Sequence, residues 1–518
     1  MTSSSVAATS PLPHRGLITA SVMLATIMQA LDTTIANVAL PHLQGAMGAT
    51  QDQISWVLTS YIVAAAIFMP LTGFLTARFG RKRVFMASVV GFTVASMLCG
   101  AAQSLTQIVA FRLLQGVFGA SLVPLSQAVL LDSHPKEEHG SAMAMWGVGV
   151  MVGPILGPSL GGWLTEYYNW RWVFYINIPI GLLAWLGLAA FVEETPLDRD
   201  RRFDLLGFSF LSLAIGTFQM MLDRGETLDW FASREVTVEA LVAGLAFYLF
   251  LAHIFTYDHP FIEPALFKDR NFSVGLLFIF IVGIVLLATM ALLPPFIQNL
   301  MGYPVMDVGL LMAPRGIGTM AAMMAVGRLS GKVDARYKIV LGILLTSFSL
   351  WDMTHFTTEI SGFDIVRTGV VQGLGIGFIF VPLSTLTFST LAPRYRNEGA
   401  SLFSLMRNIG SSIGISVVIT FLAQRTQANH EAFAASINPF NLALRRAAEA
   451  SVYNLTTPEG LSAINGEVTR QAVTLAYLQD FRLMMFVTLS ALPLILLLRK
   501  PARPTGPPSD EEMTAALE

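Results

Sequence analysis

Residues 147–162 read GVGVMVGPILGPSLGG, with no charged side chain and with glycine at every fourth position. They lie inside an apolar run, 140–165, that is long enough to cross a bilayer as a helix. Glycines spaced by four form a bare stripe on which a neighbouring helix packs backbone to backbone, and prolines bend a helix. The stretch therefore predicts a close-packed, kinked membrane helix, suited either to a moving interface or to a static helix pair. The residues concerned are Gly149, Gly153, Pro154, Gly157, Pro158 and Gly161.

The rest of the chain has the composition of a membrane protein. Its 518 residues are 54% apolar and 13% charged, whereas soluble domains carry about 25% charged residues. Fourteen apolar stretches are long enough to span a bilayer, which predicts an all-α integral membrane fold. They are residues 16–40, 54–77, 84–103, 105–131, 140–165, 173–192, 205–222, 236–257, 272–297, 305–327, 339–356, 365–391, 400–423 and 481–498. The net charge of −2 gives no reason to expect a nucleic-acid partner.

Basic residues indicate the orientation of these spans. With the N-terminus inside, twenty of the 32 Lys and Arg residues fall in inner loops and termini, as the positive-inside rule requires of cytoplasmic segments. The first fifteen residues are polar and lack the features of a cleavable signal peptide. The sequence therefore predicts fourteen spans, with both termini in the cytoplasm.

Three short motifs each occur twice, and the two copies are separated by nearly the same number of residues. The loop beginning at Gly73 resembles the loop beginning at Gly327, 254 residues later, and Gln115-Gly116 recurs as Gln372-Gly373, 257 residues later. Gly153 and Gly157 also match Gly410 and Gly414. Repeated bundles with a site between them are typical of secondary transporters. We divide the chain into a tail (1–15), an N-terminal six-helix bundle (16–192), two extra helices (193–271), a C-terminal six-helix bundle (272–499) with a long outer loop (425–478), and a cytoplasmic tail (500–518).

Asp32 is the strongest candidate for proton coupling. No other charged residue occurs between Arg15 and Asp32, so the carboxyl lies well inside the first span. A carboxylate in a bilayer is costly and is usually functional. A carboxyl that changes protonation while facing a cavity is what proton coupling requires. A static acid bonded to a neighbouring helix is the alternative.

Arg112 is the second intramembrane charge. Arg112, Gln115 and Gly119 share one helical face, and because arginine keeps its proton, it would tune a carboxyl or bind an anion. A structural arginine remains the alternative. Thr34, Asn37, Gln115 and Gly119 are the tentative substrate-cavity residues.

The inner loop after the second span is a candidate gate. Asp132, at the inner end of the fourth span, is placed to pair with Arg81 or Arg83 and hold that gate shut, although the basic loop also suffices as a topology anchor. The residues of this loop that we assign to gating are Gly73, Arg78, Gly80, Arg81 and Arg83.

Other signals are weaker. The aromatic cluster Tyr167, Tyr168, Trp170, Trp172 and Phe174 is more typical of an interfacial belt than of a substrate box. Asp223 and Asp352 are weaker coupling candidates near outer helix ends. His134 and His139 lack a supporting ligand set, so no metal site is predicted, and no phosphate-binding loop is found. The long outer loop is either solvated filler or a docking surface.

Taken in order, these motifs resemble the major facilitator superfamily, and more closely its fourteen-helix drug:proton antiporters of the EmrB/QacA type. The resemblance covers about residues 16–499. The matching stretches are LDTTIANVALP (31–41), GFLTARFGRKR (73–83), RLLQGVFG (112–119), GVGVMVGPILGPSLGG (147–162), WRWVFYINIPIG (170–181), PRG (314–316) and GASLFSLMRNIGSSIG (399–414). Arg78 stands where the superfamily's inner-loop motif usually carries an acid.

The resemblance implies alternating access, proton entry from outside and export of hydrophobic or amphiphilic toxic compounds, with the proton as coupling ion and no cofactor. EmrB-like members also imply a place in the bacterial cytoplasmic (inner) membrane, with a periplasmic adaptor (membrane-fusion) protein and an outer-membrane channel as partners. Three alternatives stay open: a narrow-substrate exporter of a siderophore, fatty acid or other metabolite, an integral-membrane enzyme, and a channel. The sequence shows no convincing catalytic constellation for an enzyme.

Overall fold

The computed structural model describes residues 15–198, 202–258, 260–330, 332–438, 441, 453–454 and 457–499. The predicted terminal tails, 1–14 and 500–518, and most of residues 439–456 lie outside the described residues. The described residues form helices joined by short connections. In the N-terminal bundle these are α1 (Arg15–Met47), α2 (Gln51–Phe68), α3 (Leu71–Phe79), α4 (Arg81–Ala101), α5 (Leu105–Gly119), α6 (Leu122–Ser133), α7 (His139–Tyr167), α8 (Trp172–Tyr175) and α9 (Asn177–Phe191).

Two further helices precede the C-terminal bundle. They are α10 (Leu205–Arg224) and α11 (Arg234–Thr256). The C-terminal bundle contains α12 (Arg270–Pro295), α13 (Val305–Arg328), α14 (Ala335–Met353), α15 (Gly362–Ser389), α16 (Arg396–Ala434), α17 (Pro458–Leu489) and α18 (Leu492–Ile495).

The helices account for the predicted spans. Twelve helices among the described residues are long and apolar enough to cross a membrane, and α2 with α3, bent by 56° at their junction, makes a thirteenth. The remaining predicted span, 339–356, corresponds to α14. The all-α membrane fold is therefore confirmed, and fourteen spans are consistent with it.

The two halves repeat one another in local structure as well as in sequence. The Ser104 side chain accepts a hydrogen bond at the start of α5, and Ser361, 257 residues later, does the same at the start of α15. Such N-caps satisfy backbone donors that the first helical turn leaves free. Short 3-10 turns at Lys136–Glu138 and Pro393–Tyr395 then lead into α7 and α16 at the same separation.

Packing joins the halves through a few helix pairs. In the N-terminal bundle α1 packs against α7 and α9, and in the C-terminal bundle α12 packs against α16 and α13 against α15. Contact between α7 and α13 links the bundles, while α10 packs on α11 and α2. One apolar core includes Trp146 from α7 and Phe380 from α15, whose rings stack at 5.9 Å.

The prediction of a loop from residue 425 to 478 is wrong at both ends. Helix α16 continues to Ala434, and α17 begins at Pro458, well before the last predicted span. The two extensions pack together, with the Asn429 amide donating to the Ala472 carbonyl at 3.2 Å. Both helices continue through polar sequence, so the end of an apolar run does not mark the end of a helix.

Candidate functional site

Asp32 lies at the centre of a buried polar cluster in the N-terminal bundle. Its side chain on α1 is fully buried. It accepts hydrogen bonds from Arg112 Nη1 at 2.6 Å, Gln115 Nε2 at 2.8 Å and Asn177 Nδ2 at 2.8 Å. Three donors from α5 and α9 thus hold one carboxylate of α1, and the sequence had placed the two on α5 on one helical face.

Arg112 is held from the other side as well. Its Nε donates to the Val57 carbonyl at 3.1 Å, and Nη1 also donates to Gln115 Oε1 at 2.8 Å. The guanidinium stands 4.4 Å from the centre of the Tyr61 ring and 5.9 Å from that of Phe174. The Asp32–Arg112 ion pair is therefore fully buried. Removing one partner of a buried ion pair typically costs about 3–5 kcal/mol of stability.

The cluster extends through Asn177 to α4. The Asn177 amide also donates to Ser96 Oγ at 2.9 Å, and Ser96 donates to the Phe174 carbonyl at 2.8 Å. Loss of the Asp32 charge would weaken its bond to Arg112 most, because hydrogen bonds between ions are stronger than those between neutral groups. Protonation of one carboxyl can therefore loosen the contacts among α1, α4, α5 and α9.

The glycine stripe of α7 faces α1 directly. A Cβ at Gly153 would lie 2.5 Å from the backbone carbonyl of Ala30, and one at Gly157 would lie 2.2 Å from Thr34 Oγ1. Thr34 Oγ1 also donates to the Gly153 carbonyl at 3.1 Å. The predicted close approach is present two residues from Asp32, so movement of α1 and movement of α7 are mechanically linked. The side chains of Pro154 and Pro158 lie outside the described residues.

Asp132 joins the two bundles at the end of the molecule that carries the basic loop 78–83, which we call the basic face. It pairs with Arg81, as the sequence predicted, and also with Arg396 at the start of α16 in the C-terminal bundle. Gly73 allows close contact there, because its added Cβ would lie 3.1 Å from the Glu398 Cα. These contacts close the basic face of the molecule, while the gating role of these residues stays a prediction.

The remaining residues of the predicted gate lie at the end of α3 and the start of α4. Gly80 has a φ of 92°, a backbone conformation that favours glycine. Glu194 Oε1 accepts from the Lys82 backbone N at 2.9 Å, which places a carboxylate at a helix N-terminus. Arg83, the alternative partner for Asp132, instead lies 3.9 Å from Glu194 and is largely exposed. Arg78 makes contacts of its own in the last turn of α3.

A cysteine pair tests whether this closed face opens during transport. Cβ atoms at positions 140 and 330 would lie 2.9 Å apart, so a disulfide there needs the two segments to separate by about 1 Å. Cys99 is the chain's own cysteine. In a Cys99→Ser background, we expect Gly140→Cys with Ser330→Cys to cross-link under mild oxidation and to stop transport until a reductant is added. Each single cysteine is the control. Full transport by the cross-linked protein would show that this face need not open.

A family model described as Major Facilitator Superfamily matches residues 22–415. The chain belongs to the major facilitator superfamily. It is 35% identical over 491 residues to the fatty acid resistance protein FarB of Neisseria gonorrhoeae, covering 94% of this chain and 97% of that protein.

Other members of the superfamily are similar over most of their length. The chain is 37% identical over 430 residues to the multidrug export protein EmrB of Escherichia coli K12, covering 82% of this chain and 83% of that protein. Its fold is like that of the human organic anion transporter MFSD10, with a TM-score of 0.59 at 14% identity, over 92% of this chain and all of that one. The protein is thus a multi-pass membrane transporter homologous to multidrug exporters.

The predicted cavity residues of this transporter do not form one open surface. Thr34 is packed against α7, Gln115 is bound to Asp32, and a Cβ at Gly119 would lie 2.9 Å from the Tyr61 hydroxyl. Asn37 is exposed on α1. These four residues therefore surround the buried cluster or lie beyond it, and their part in substrate binding stays a prediction.

The weaker candidates lie apart from the cluster. Asp223 bonds to Thr59, and Asp352 pairs with Arg367 at 2.7 Å. Of the aromatic cluster, the prediction of an interfacial belt fits the exposed members, whereas Trp170 and Phe174 are buried. Phe174 faces Arg112, whose guanidinium lies 5.9 Å from the centre of its ring.

Sequence reasoning missed Asn177, Ser96 and Asp480. Asn177 stood in a matching stretch, but nothing local indicates that it reaches Asp32, which is 145 residues away. Asp480 on α17 is fully buried, and neither carboxyl oxygen has a hydrogen-bond partner among the described residues. A count of acids in the extended helix, instead of in the apolar run alone, would have found it.

Proposed function

We propose that this transporter is a secondary active drug:proton antiporter that exports hydrophobic or amphiphilic compounds by alternating access. The observation that carries the proposal is the buried Asp32–Arg112 pair, with the carboxylate held by three donors. A permanent cation beside a carboxyl that can gain or lose a proton gives two states of different charge at one point in the membrane. No cofactor is needed, because the proton itself is the coupling ion.

The proposed cycle starts from the arrangement described above. Loop charges assign the basic face to the cytoplasm, so the contacts of Asp132 with Arg81 and Arg396 close the cytoplasmic side. A proton arriving from outside neutralises Asp32 and permits the inward-facing state. Substrate then binds from the cytoplasm or inner leaflet and favours proton release and return. One charge crossing ~150 mV supplies about 3.5 kcal/mol, or a gradient of several hundredfold for a neutral substrate.

The proposal includes a membrane location and partner proteins. We place it in the bacterial cytoplasmic membrane with both termini inside, in line with the distribution of basic residues. The paired helical extensions of α16 and α17, which lie beyond the predicted outer membrane surface, are our proposed contact for a periplasmic adaptor working with an outer-membrane channel.

Reconstituted vesicles test the export function. Substrate added to vesicles that contain the protein should drive proton movement, recorded with an enclosed pH indicator, and an imposed pH gradient should drive substrate uphill. A panel of lipophilic cations, uncouplers and fatty acids addresses specificity. Protein-dependent substrate flux that neither moves protons nor responds to a pH gradient would contradict the proposal.

A narrow-substrate exporter is the second candidate function. The observation in its favour is that the likeness to the fatty acid resistance protein FarB extends over 94% of this chain. In the vesicle assay this candidate predicts proton movement with fatty acids and none with lipophilic cations.

A further inference from the structure

The C-terminal bundle contains a buried cation without a counterion. Arg315 on α13 is 7% exposed. Its Nη2 donates to Thr289 Oγ1 at 3.0 Å and to the Leu286 carbonyl at 3.4 Å, and its Nη1 has no hydrogen-bond partner among the described residues. No ion pair in the described part of the chain includes Arg315, in contrast to Arg112. A buried guanidinium that is neutralised by nothing nearby is costly in a membrane.

The internal repeat shows that the C-terminal bundle lacks a carboxylate at the position equivalent to Asp32. At the separation of 257 residues that relates Gln115 to Gln372, Asp32 corresponds to Thr289 and Arg112 to Gly369. Gly369 leaves room on α15, since a Cβ there would lie 3.6 Å from the Arg315 Cβ. The C-terminal half therefore supplies its cation from α13 and has a hydroxyl where the N-terminal half has the carboxylate.

A buried amide on the adjoining helix α15 also lacks hydrogen-bond partners among the described residues. Gln372 is fully buried, and neither end of its amide has a partner among the described residues. It adjoins Gly373, where an added Cβ would lie 2.0 Å from the Arg315 carbonyl oxygen.

We propose that Arg315, with Thr289 beside it and Gln372 on the adjoining helix, binds the anionic head group of an exported amphiphile. A carboxylate is the simplest such group, because it accepts two parallel bonds from a guanidinium. This inference rests on the proposed export function and names its substrate class.

Binding to the purified full-length protein tests the site. Calorimetry would compare dodecanoate with tetraphenylphosphonium, a lipophilic cation, in wild type, Arg315→Gln and Arg315→Lys. We expect Arg315→Gln to weaken dodecanoate binding at least about tenfold, the usual loss for one charged hydrogen bond, and to leave tetraphenylphosphonium binding unchanged. Arg315→Lys should retain part of the affinity, which also guards against a variant that fails to fold. Arg367→Gln, at an exposed ion pair, is the matched control.

The outcomes separate this inference from the proposed function. Equal dodecanoate affinity in wild type and folded Arg315→Gln, or an equal loss for both probes, would overturn the inference. A phospholipid lost from Arg315→Gln in native mass spectrometry, with unchanged dodecanoate affinity, would assign the site to a lipid head group and overturn it too. Proton-coupled export of tetraphenylphosphonium by Arg315→Gln supports the proposed function regardless. Arg315-dependent dodecanoate binding without proton movement would retain the anion site at Arg315 and contradict the proposed proton-coupled export.

Discussion

We expect the Asp32→Asn variant to lose export against a gradient and to keep exchange of substrate down its gradient. Asparagine has the same shape and can still accept a bond from Arg112, but it cannot bind and release a proton. The cycle then lacks the step that couples proton entry to the return of the transporter. Uphill export driven by a pH gradient and downhill exchange would be measured in the same vesicle preparation.

Stability is the confounding factor in this variant, and a second variant controls for it. Asp32→Asn leaves Arg112 buried without its counterion, which costs up to about 3–5 kcal/mol. Asp32→Asn combined with Arg112→Gln removes both charges, so the free energy of unfolding should largely recover. Coupled export should not recover, because no titratable group replaces Asp32. Restored uphill export in the double variant would remove Asp32 from the coupling step.

The second large effect is expected at the contact between α1 and α7. A methyl group at Gly153 would lie 2.5 Å from the Ala30 carbonyl carbon and oxygen, and backbone atoms cannot rotate away. We expect Gly153→Ala to separate α1 from α7, to destabilise the protein by about 1–3 kcal/mol as overpacking does, and to abolish transport. Thermal unfolding and vesicle export would be measured together.

Two other glycines of the same helix provide matched controls. Gly162 has nothing within 4 Å of its added Cβ, so Gly162→Ala should be neutral or slightly stabilising. A Cβ at Gly149 would meet the end of the flexible Met23 side chain at 3.0 Å and Ile27 Cγ1 at 3.8 Å, so Gly149→Ala should be intermediate. If Gly153→Ala and Gly162→Ala behaved alike, the close contact would have no part in transport.

The sequence predicted the parts of the structure that depend on a single helix. Hydropathy located α1, and a lone acid in that run identified Asp32 without any tertiary information. The spacing of Arg112 and Gln115 placed both on one face of α5, and both contact Asp32. Glycines at every fourth position predicted that α7 packs closely against another helix, but they did not indicate that this helix is α1.

Contacts between distant elements could not be predicted in the same way. Asp132 was expected to pair within its own bundle, yet it also pairs with Arg396, which is 264 residues away and belongs to the other half. Asn177 reaches Asp32 only because α9 packs on α1. Asp480 lies just outside an apolar run and inside a longer helix, where hydropathy gives no signal.

Proton release on substrate binding tests the central claim most directly. Purified wild-type protein in weakly buffered detergent solution, with a pH indicator, would be mixed with a transported substrate from the vesicle panel. We predict that wild type releases protons in proportion to the substrate bound, and that the Asp32→Asn variant binds substrate and releases none. Equal proton release from both proteins at equal occupancy would contradict the assignment of Asp32 as the coupling carboxyl.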